Sequence, residues 1–339
     1  MKETTLKEIA IKLGISTTTV SKALKNYTDV SPKTKAAVLE LAEKLNYSPN
    51  NFALYLKSKE SKTIGLIIPE VVHHFFSNVI RGIIEASEEE GYLVIILQSN
   101  ETMLLEKKQV DLLINKRVDG ILISLSNESN AELHLKNIMK KEIPLVQFDK
   151  ISKMIPSSKV IIDDRKAAFS AVEHLIGKGC KKIVHLRGPI NPQNSVDRFL
   201  GYKSALEKNN IVYDPSLVHT CIKVDFEEGR EFAKKILETQ PEVDGIFAIT
   251  DLVAIGVLNY FNEIDPNLTK RIKVIGFSNW NMSEVITPSL STVHQPGYEM
   301  GIASFKVLLE EIKAKKLGEK FPPKTIVLDT YVVERNSTK

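Results

Sequence analysis

Residues 5–25 read TLKEIAIKLGISTTTVSKALK, two short amphipathic segments separated by a Gly-Ile-Ser turn at residues 14–16. In the first segment, apolar residues recur at helical spacing, and Thr5 followed by Glu8 has the spacing of a capping box. Gly14 is the residue type that most often ends a helix in a left-handed conformation. The stretch therefore predicts a helix-turn-helix at the start of the chain.

The second segment, which Ser16 can cap, has two different faces. Its apolar face holds Val20 and Ala23. The outward face carries hydroxyl and ammonium groups and contains no carboxylate; its residues are Thr17, Thr18, Ser21, Lys22 and Lys25. The dipeptide Ser31-Pro32 predicts the start of a third helix, which runs to Asn46. An ordinary three-helix bundle with a solvated polar face remains the alternative interpretation.

The excess positive charge of the chain is confined to this region. Residues 1–60 hold ten lysines and six acidic residues, whereas the rest of the chain holds 36 basic and 36 acidic residues. A localised positive charge is the electrostatic footprint of a module that neutralises nucleic-acid phosphates. The charge distribution therefore favours a DNA-binding head, although so modest an excess makes us expect that affinity depends on dimerisation.

From residue 62 onward, strongly apolar runs alternate with amphipathic helices. The runs are TIGLIIP, YLVIILQ, DGILISL and PLVQFDK, followed by KVIID, KKIVHLR, DGIFAIT and IKVIGF. Runs so continuously apolar are typical of parallel strands that helices cover on both faces. The sequence VDGI occurs at both 118–121 and 243–246, which indicates two similar subdomains. The predicted class is α/β, with a helical head followed by a body that contains parallel sheets.

In sheets of this kind, ligands bind beyond the carboxyl ends of the strands. This rule nominates loop residues that share that position: 69–76, Ser124, Asp149, 187–188, 250–251 and 278–280. A carboxylate accepts hydrogen bonds from hydroxyl groups, a guanidinium donates them, and aromatic rings can lie against a sugar or a base. The sequence therefore predicts a cleft that suits a polyhydroxylated ligand.

The chain resembles the LacI/GalR family of ligand-responsive transcription regulators over essentially its whole length. The segments that carry the resemblance are the opening stretch, VSPKTKAAVLELAEKLNYSPN, DRFLGYKSAL, ITDLVAIGVL and GFSNWNMSEVITPSLSTVHQP. The resemblance implies a body similar to the periplasmic binding proteins and a homodimer that binds double-stranded operator DNA. It also implies a repressor whose operator affinity is controlled by a small polar effector, a carbohydrate or a derivative of one.

The resemblance also implies roles for individual residues. The implied DNA contacts are Thr5, Leu6, Ser16, Thr17, Thr18, Ser21, Lys22, Lys25, Ser31, Asn50, Ala53 and Leu56. Residues 50–58 would form a hinge helix, with Leu56 as a wedge in the minor groove. The implied effector contacts are Phe75, Phe76, Ser124, Asp149, Arg198, Phe226, Thr250, Asp251, Ser278 and Trp280.

Some of these positions depart from the family pattern or allow a structural role. Lys22 stands where the family usually has an arginine that reads guanine, and Ser278 stands where it usually has an aspartate. A salt bridge across the subdomains is the alternative for Arg198, and core packing is the alternative for both Phe226 and Trp280.

The implied domain organisation has three parts. Residues 1–49 form the helix-turn-helix head, residues 50–60 the hinge helix and linker, and residues 61–339 the effector-binding and dimerisation domain. Within that domain we expect an N-subdomain at about 61–160 and 290–322, and a C-subdomain at about 161–289 and 323–339. The chain would cross between the subdomains near residues 160, 290 and 322, with TIVLDTYVV as one last strand.

Several other functions are disfavoured by the sequence. It contains no G-x-S-x-G, no Walker loop and no G-x-G-x-x-G, so we expect neither an enzyme nor a nucleotide cofactor. The start MKETTLKEIA is not a signal peptide, which predicts a cytoplasmic protein without a membrane segment. A solute-binding or sugar-processing protein without a DNA role is the alternative, but it leaves the first 60 residues unexplained.

The histidines and cysteines give no sign of a metal site or a disulfide. His73 and His74 are adjacent and have no third ligand at a matching spacing, so we interpret them as a solvated pair or a pair at the pocket rim. Cys180 and Cys221 are far apart in the sequence and are expected to be reduced thiols.

Overall fold

The computed structural model of the protein describes residues 4–47, 60–128 and 132–339. The chain divides into two compact units, Met1–Ser61 and Lys62–Lys339, which we call the head and the body. The described part of the head consists of three helices: α1 (Leu6–Leu13), α2 (Thr17–Leu24) and α3 (Pro32–Lys44).

Local hydrogen bonds define the ends of the head helices. Both bonds of the predicted capping box between Thr5 and Glu8 are present, and Gly14 ends α1 with a φ of 63°. The Ser16 hydroxyl accepts from the Thr19 amide at 3.0 Å, and the Ser31 hydroxyl accepts from the Thr34 amide at 3.2 Å. These caps satisfy amides that have no partner inside the helix. The helices enclose a small core of Ile9, Ala10, Val20, Ala23, Val30, Val38 and Ala42.

The body alternates strands and helices. Its first part contains β1 (Thr63–Ile68), α4 (His74–Glu89), β2 (Leu93–Gln98), α5 (Met103–Asn115), β3 (Gly120–Ile123), α6 (Leu133–Lys140), β4 (Leu145–Phe148) and β5 (Ser158–Ile162). The second part contains α7 (Asp164–Gly177), β6 (Ile183–Arg187), α8 (Gln193–Lys208), β7 (Val218–Thr220), α9 (Phe226–Thr239), β8 (Gly245–Ala248), α10 (Asp251–Ile264), α11 (Leu268–Arg271) and β9 (Lys273–Ile275). The last part contains α12 (Met282–Val285), β10 (Thr292–His294), α13 (Gly297–Leu317), β11 (Thr325–Leu328) and β12 (Tyr331–Val333).

The strands of the body form two parallel sheets and one short antiparallel ribbon. Within the described ranges, one sheet has six strands in the order β11-β5-β4-β3-β1-β2, and the other has four in the order β7-β6-β8-β9. The ribbon pairs β10 with β12. The α/β prediction with parallel sheets is confirmed, and the eight apolar runs all contain a strand. The short strand β7 was not predicted.

Alternating residues of the strands pack on opposite faces of each sheet. In β1, Ile64, Leu66 and Ile68 belong to one buried cluster, whereas Ile67 belongs to another. In β8, Phe247 and Ile246 likewise lie in different clusters. Because both faces of these strands are buried, the runs are continuously apolar, as expected for parallel sheets.

The repeated VDGI sequence occupies equivalent positions in the two sheets. Gly120 pairs with Ile64 at the start of β3, and Gly245 pairs with Ile183 at the start of β8. The Asp119 carboxylate accepts from the Lys62 amide at 2.9 Å, and the Asp244 carboxylate accepts from the Lys181 and Lys182 amides at 2.8 Å each. In each sheet, the aspartate therefore ties the start of one strand to the backbone just before its neighbour.

The two sheets are the cores of two lobes. We call the six-stranded sheet with α4, α5, α6 and α13 the N-lobe, and the four-stranded sheet with α7, α8, α9 and α10 the C-lobe. The chain leaves the N-lobe sheet after Ile162 and returns between β10 and α13, at Gln295-Pro296. The β10–β12 ribbon is bridged to the C-lobe through Ser278 and His294.

The third crossing exists, but it lies after Leu328 and not near residue 322. β11 pairs in parallel with β5, with Thr325 opposite Lys159, so the chain leaves the N-lobe only after Leu328. The run TIVLDTYVV is therefore two strands in two different sheets, and residues 325–328 belong to the N-lobe and not to the C-lobe. An apolar run does not specify which open sheet edge it will pair with. In this structure, β11 pairs with the free edge of β5.

Candidate DNA-reading face and effector cleft

The predicted DNA-contacting residues of the second helix lie on one exposed face of the head. Thr17 and Thr18, in the first turn of α2, are exposed, and Lys25 is exposed where the helix ends. Ser21 and Lys22 are partly exposed between them. The opposite face of α2 contributes Val20 and Ala23 to the core. This face therefore presents hydroxyl and ammonium donors, which can bind base edges and phosphates.

The remaining described candidates of the head lie at helix starts. Thr5, Ser16 and Ser31 are the residues that cap α1, α2 and α3, and Leu6 packs against the core of the head. Helix starts are favourable places for a phosphate, because their free amides point outward. The other three candidates, Asn50, Ala53 and Leu56, lie outside the described residues, as does the whole predicted hinge helix.

One charged neighbour of the reading face was not predicted. The Asp29 carboxylate, in the loop after α2, accepts a hydrogen bond from the Lys22 ammonium. This bond, together with the positive charge of Lys22, lowers the pKa of Asp29. The outward set itself contains no carboxylate, but Asp29 lies beside it because the loop folds back next to the last turn of α2.

A cleft of about 510 Å³ lies between the two lobes of the body, at the carboxyl ends of the strands. Eight of the ten predicted effector residues line it: Phe75, Phe76, Asp149, Arg198, Thr250, Asp251, Ser278 and Trp280. The other two do not. Ser124 is buried behind Asp149, and Phe226 begins α9 next to Asp225, which does line the cleft.

Asp149 is the carboxylate of the N-lobe wall. It follows β4 with a φ of 55° and is only 7% exposed. Its Oδ1 accepts from the side chain of Gln295 at 3.1 Å, and its Oδ2 lies 3.5 Å from the Ser124 hydroxyl. These partners are neutral, so the negative charge of Asp149 is available to the donors of a ligand.

Arg198 is the guanidinium of the C-lobe wall, and it is 4% exposed. Its Nε donates to Asp164 Oδ1 at 2.8 Å, and its Nη1 donates to the Ile249 carbonyl at 2.9 Å. The guanidinium carbon lies 3.5 Å from the centre of the Phe277 ring. Arg198 thus forms a salt bridge, but its partner Asp164 lies in the same lobe, so this is not the expected bridge across the subdomains. These contacts fix the plane of the guanidinium at the cleft.

Burial is the largest influence on the pKa of Asp164, the aspartate that binds Arg198. It raises the pKa of Asp164 to about 7, and the positive charge of Arg198 offsets this only in part, while the negative charge of Asp149 adds to it. Near neutral pH, Asp164 therefore exchanges between its protonated and ionised forms. The charge beside Arg198 depends on pH in the same range.

Thr250 and Asp251 line the cleft but also have structural roles. The Thr250 hydroxyl caps α10, and the Asp251 carboxylate accepts from the Trp280 amide at 2.6 Å and from the Ser283 hydroxyl at 3.0 Å. Asp251 is 1% exposed, and burial raises its pKa although these bonds lower it. Asp251 therefore anchors the loop that carries Ser278 and Trp280.

Residues of that loop have an unusual backbone and face the other lobe. Ser278 has a φ of 114°, a conformation that is strained for a residue with a side chain, and Asn279 has a φ of 56°. The Trp280 ring lies 6.5 Å from the ring of His74, which belongs to the N-lobe helix α4. The two rings bring the lobes close together at the cleft.

Comparisons with known proteins fit both units. Residues 5–50 match the family described as bacterial regulatory proteins of the lacI family, and residues 64–316 match the periplasmic binding protein domain. The ribose operon repressor of Halalkalibacterium halodurans is 31% identical over 98% of this chain and 99% of its own length. This chain belongs to the LacI family of DNA-binding transcriptional repressors. It is a regulator and not an enzyme.

Solved structures of other transcription regulators share the fold. The lac repressor dimer bound to operator and the anti-inducer ONPF is similar to this chain with a TM-score of 0.87, 23% identity and coverage of 99% of both chains. A complex of the regulator CelR with cellobiose is similar with a TM-score of 0.74, 24% identity and coverage of 99% of this chain and 100% of that chain.

Several polar residues of the cleft in this LacI-family chain were missed by the sequence reasoning. Gln295, which binds Asp149, follows β10 at the crossing between the lobes. The Lys150 ammonium donates to Glu101 at 2.6 Å and to Asn127 at 2.7 Å, and all three residues line the cleft. Lys150 directly follows Asp149 at a strand end, so the strand-end rule could have nominated it.

Both histidines line the cleft, in agreement with the second of the two interpretations. His73 is 3.0 Å from Glu70, and His74 is 2.9 Å from Asn78, where burial lowers its pKa. Cys180 and Cys221 are buried free thiols, and burial raises the pKa of both.

In the described part of the chain, no three His, Cys, Asp or Glu residues are grouped so that they could hold a metal ion. None of the helices there is long and apolar enough to cross a membrane.

Proposed function

We propose that this repressor senses a small hydroxyl-rich effector, a carbohydrate or a derivative of one, in the cleft between the lobes. The observation that carries the proposal is that Asp149 from one lobe and Arg198 from the other line the same cleft of about 510 Å³. That volume lies within the usual range for small-molecule sites. The name of the ribose operon repressor and the cellobiose complex of CelR support this class of effector.

The proposed contacts follow from the chemistry of the walls. Asp149 accepts hydrogen bonds from hydroxyl groups, and Arg198 donates to the oxygens of the ligand. The rings of Phe75, Phe76 and Trp280 provide apolar faces for the C–H side of a sugar ring. The cleft contains basic and acidic side chains, and two of its cations are already bound to carboxylates, Lys150 to Glu101 and Arg198 to Asp164. A third basic side chain, Lys223, also lines the cleft. This arrangement suits a neutral ligand with many hydroxyl groups.

We propose that the head reads the operator through the exposed face of α2. Thr17, Thr18, Ser21 and Lys22 would face base edges in the major groove, while Lys25 would bind a phosphate. The capped starts of the three helices, at Thr5, Ser16 and Ser31, would add phosphate contacts, with Leu6 beside them. In the hinge segment, Asn50, Ala53 and Leu56 would contact the minor groove, with Leu56 as the wedge.

The working unit would be a cytoplasmic homodimer. Two heads on a two-fold axis match two half-sites of a near-palindromic operator. Closure of the cleft by the effector would change the spacing of the hinge segments and so the fit of both heads to DNA. By linkage, operator DNA would then change the effector affinity by the same factor.

A thermal-shift screen tests the effector proposal. The purified full chain is tested with neutral sugars, sugar phosphates, uronic acids and purines, with and without DNA selected from a random oligonucleotide pool. We expect a neutral sugar to raise the melting temperature and to change the retention of the selected DNA. Stabilisation only by phosphorylated sugars or purines would contradict the proposed effector class. Failure to select any DNA would contradict the proposal that the head binds a specific DNA sequence.

Variants then locate the effector in the cleft. Asp149→Asn should weaken binding of the stabilising sugar by about tenfold to a hundredfold, because it removes a charged acceptor. Asp111→Asn is the matched control, since Asp111 lies on α5 outside the cleft lining and accepts from the Asn137 side chain of the same lobe. Equal effects of both substitutions in calorimetry would place the effector elsewhere.

A further inference from the structure

The loop between α2 and α3 holds two lysines of the head. Asp29 accepts from the Lys22 ammonium, and the Lys35 ammonium donates to the side-chain oxygen of Asn26 at 2.9 Å. The side chains of Lys22 and Asp29 are 41% and 53% exposed, so the pair lies on the surface. The charge of Lys35 also acts on Asp29, so this carboxylate lies near two cations.

The bond to Asp29 changes what Lys22 can do on DNA. A free lysine is a flexible point charge that binds any phosphate it reaches, unlike the rigid fork of an arginine. The ammonium has three donors, and Asp29 uses one of them. The other two can still reach O6 and N7 of a guanine. The carboxylate thus restricts the position of the ammonium without removing its capacity to read a base.

The same carboxylate acts against binding that is independent of sequence. Such binding comes from lysines and arginines that replace counterions on phosphates. A lysine that is paired with Asp29 contributes less to it, and the Asp29 charge itself repels a phosphate. An exposed ion pair is weak, so we expect its effects on DNA affinity to be small.

We propose that Asp29 is a specificity-determining residue of the head, which positions the Lys22 ammonium for a guanine and weakens binding to other DNA. This inference rests on the proposed DNA-reading role of α2. In this chain, Lys22 and Asp29 together would recognise the guanine that a single arginine usually reads in the family. Asp29 acts through Lys22 and is a positioning residue.

The test compares two duplexes of equal length, one selected by the full chain from a random pool and one of random sequence. For Asp29→Asn we expect about twofold to fivefold tighter binding to the random duplex. The dependence of log affinity on log salt should become steeper by about 0.9 for each head, as for one added phosphate contact. Binding to the selected duplex should not gain as much, so the preference for it falls.

Three further variants make the outcome decisive. Glu40→Gln removes a carboxylate from exposed α3 and should leave the preference unchanged, whereas Asp29→Glu should restore much of it. In a Lys22→Ala background, Asp29→Asn should no longer change the preference. Equal tightening on both duplexes, or the same loss of preference from Glu40→Gln, overturns the inference. If Lys22→Ala itself leaves the preference intact, the proposed reading role of Lys22 is what fails.

Discussion

The head and the body differ in how far apart in the sequence their interacting residues lie. In the head, Ser16 caps the Thr19 amide and Ser31 caps the Thr34 amide, three residues away in each case. In the body, Arg198 binds Asp164 over 34 residues, and Gln295 binds Asp149 over 146. The head is therefore specified by short sequence motifs, whereas the cleft exists only once the whole body has folded.

The two units also differ in what should stabilise them. The head has one small core, so its helix caps are a large part of its stability. The body has buried clusters on both faces of its sheets, and helices that approach closely enough to touch through their backbones. Substitutions should therefore be most costly in the body where backbones meet, and in the head where a cap is lost.

The largest effect is expected where α13 packs on α4. A Cβ added at Gly301 would lie 2.2 Å from the Val79 carbonyl oxygen, which is backbone and cannot rotate away. We expect Gly301→Ala to lower the free energy of unfolding of the body by about 2–3 kcal/mol. Urea unfolding followed by the fluorescence of Trp280, the single tryptophan of the sequence, measures this.

Gly177 provides the control for this substitution. It is the last residue of α7, and a Cβ added there would have nothing within 4 Å. Gly177→Ala should therefore leave the unfolding of the body unchanged or slightly improve it. Equal losses from the two substitutions would show that close helix contact is not the cause.

The next effect concerns two buried titratable groups of the C-lobe, His185 and Asp164. Their contributions to the pH dependence of the stability of the body should have opposite signs. Burial lowers the pKa of His185 from 6.5 to about 3, so only the unfolded chain gains this proton as the pH falls below 6.5. Burial raises the pKa of Asp164 from 3.8 to about 7, so the folded chain keeps a proton that the unfolded chain loses as the pH rises. Between about pH 4 and 6.5 the two contributions to stability have opposite slopes.

Single substitutions should reveal each slope. In His185→Phe, which keeps the aromatic stack on Phe247, the stability of the body should fall with rising pH more steeply than in the parent, by about 1.4 kcal/mol per pH unit. In Asp164→Asn, the stability of the body should instead fall with decreasing pH more steeply than in the parent, by a similar amount per pH unit. Urea unfolding at pH 4.5, 5.5 and 6.5 measures both. Parallel pH profiles for the parent and either variant would contradict the assignment.

The smallest effect is expected in the head. Ser16→Ala removes the cap of α2 and should lower the local stability of this helix by about 1 kcal/mol, because the Thr19 amide loses its partner. Amide hydrogen exchange in residues 17–24 reports this loss, while Trp280 fluorescence should show an unchanged body.

Ser16→Thr keeps a hydroxyl at this position and serves as the control. An unchanged exchange rate in Ser16→Ala would mean that the caps do not control the stability of the head.

The accuracy of the sequence predictions follows the same division. The caps at Thr5, Ser16 and Ser31 were predicted because they depend on residues three positions apart. Eight of the ten predicted effector residues line the cleft. Those that follow strands were found because parallel strands end at one edge, whereas Arg198 lies inside α8 and was implied only by the family resemblance. Gln295, Asp29 and the pairing of β11 with β5 were missed, because each depends on a contact made by chain reversal.

The sequence by itself determined the helix-turn-helix, the alternation of strands and helices, and the family. These features depend on spacing, capping and charge within short segments, where the chain has few alternatives. Only the tertiary structure decided that Asp29 lies against Lys22, that Asp164 holds Arg198, and that Asp251 anchors the Trp280 loop. Such pairs are chosen by packing, because a buried or closely placed charge must find its partner in space and not along the chain.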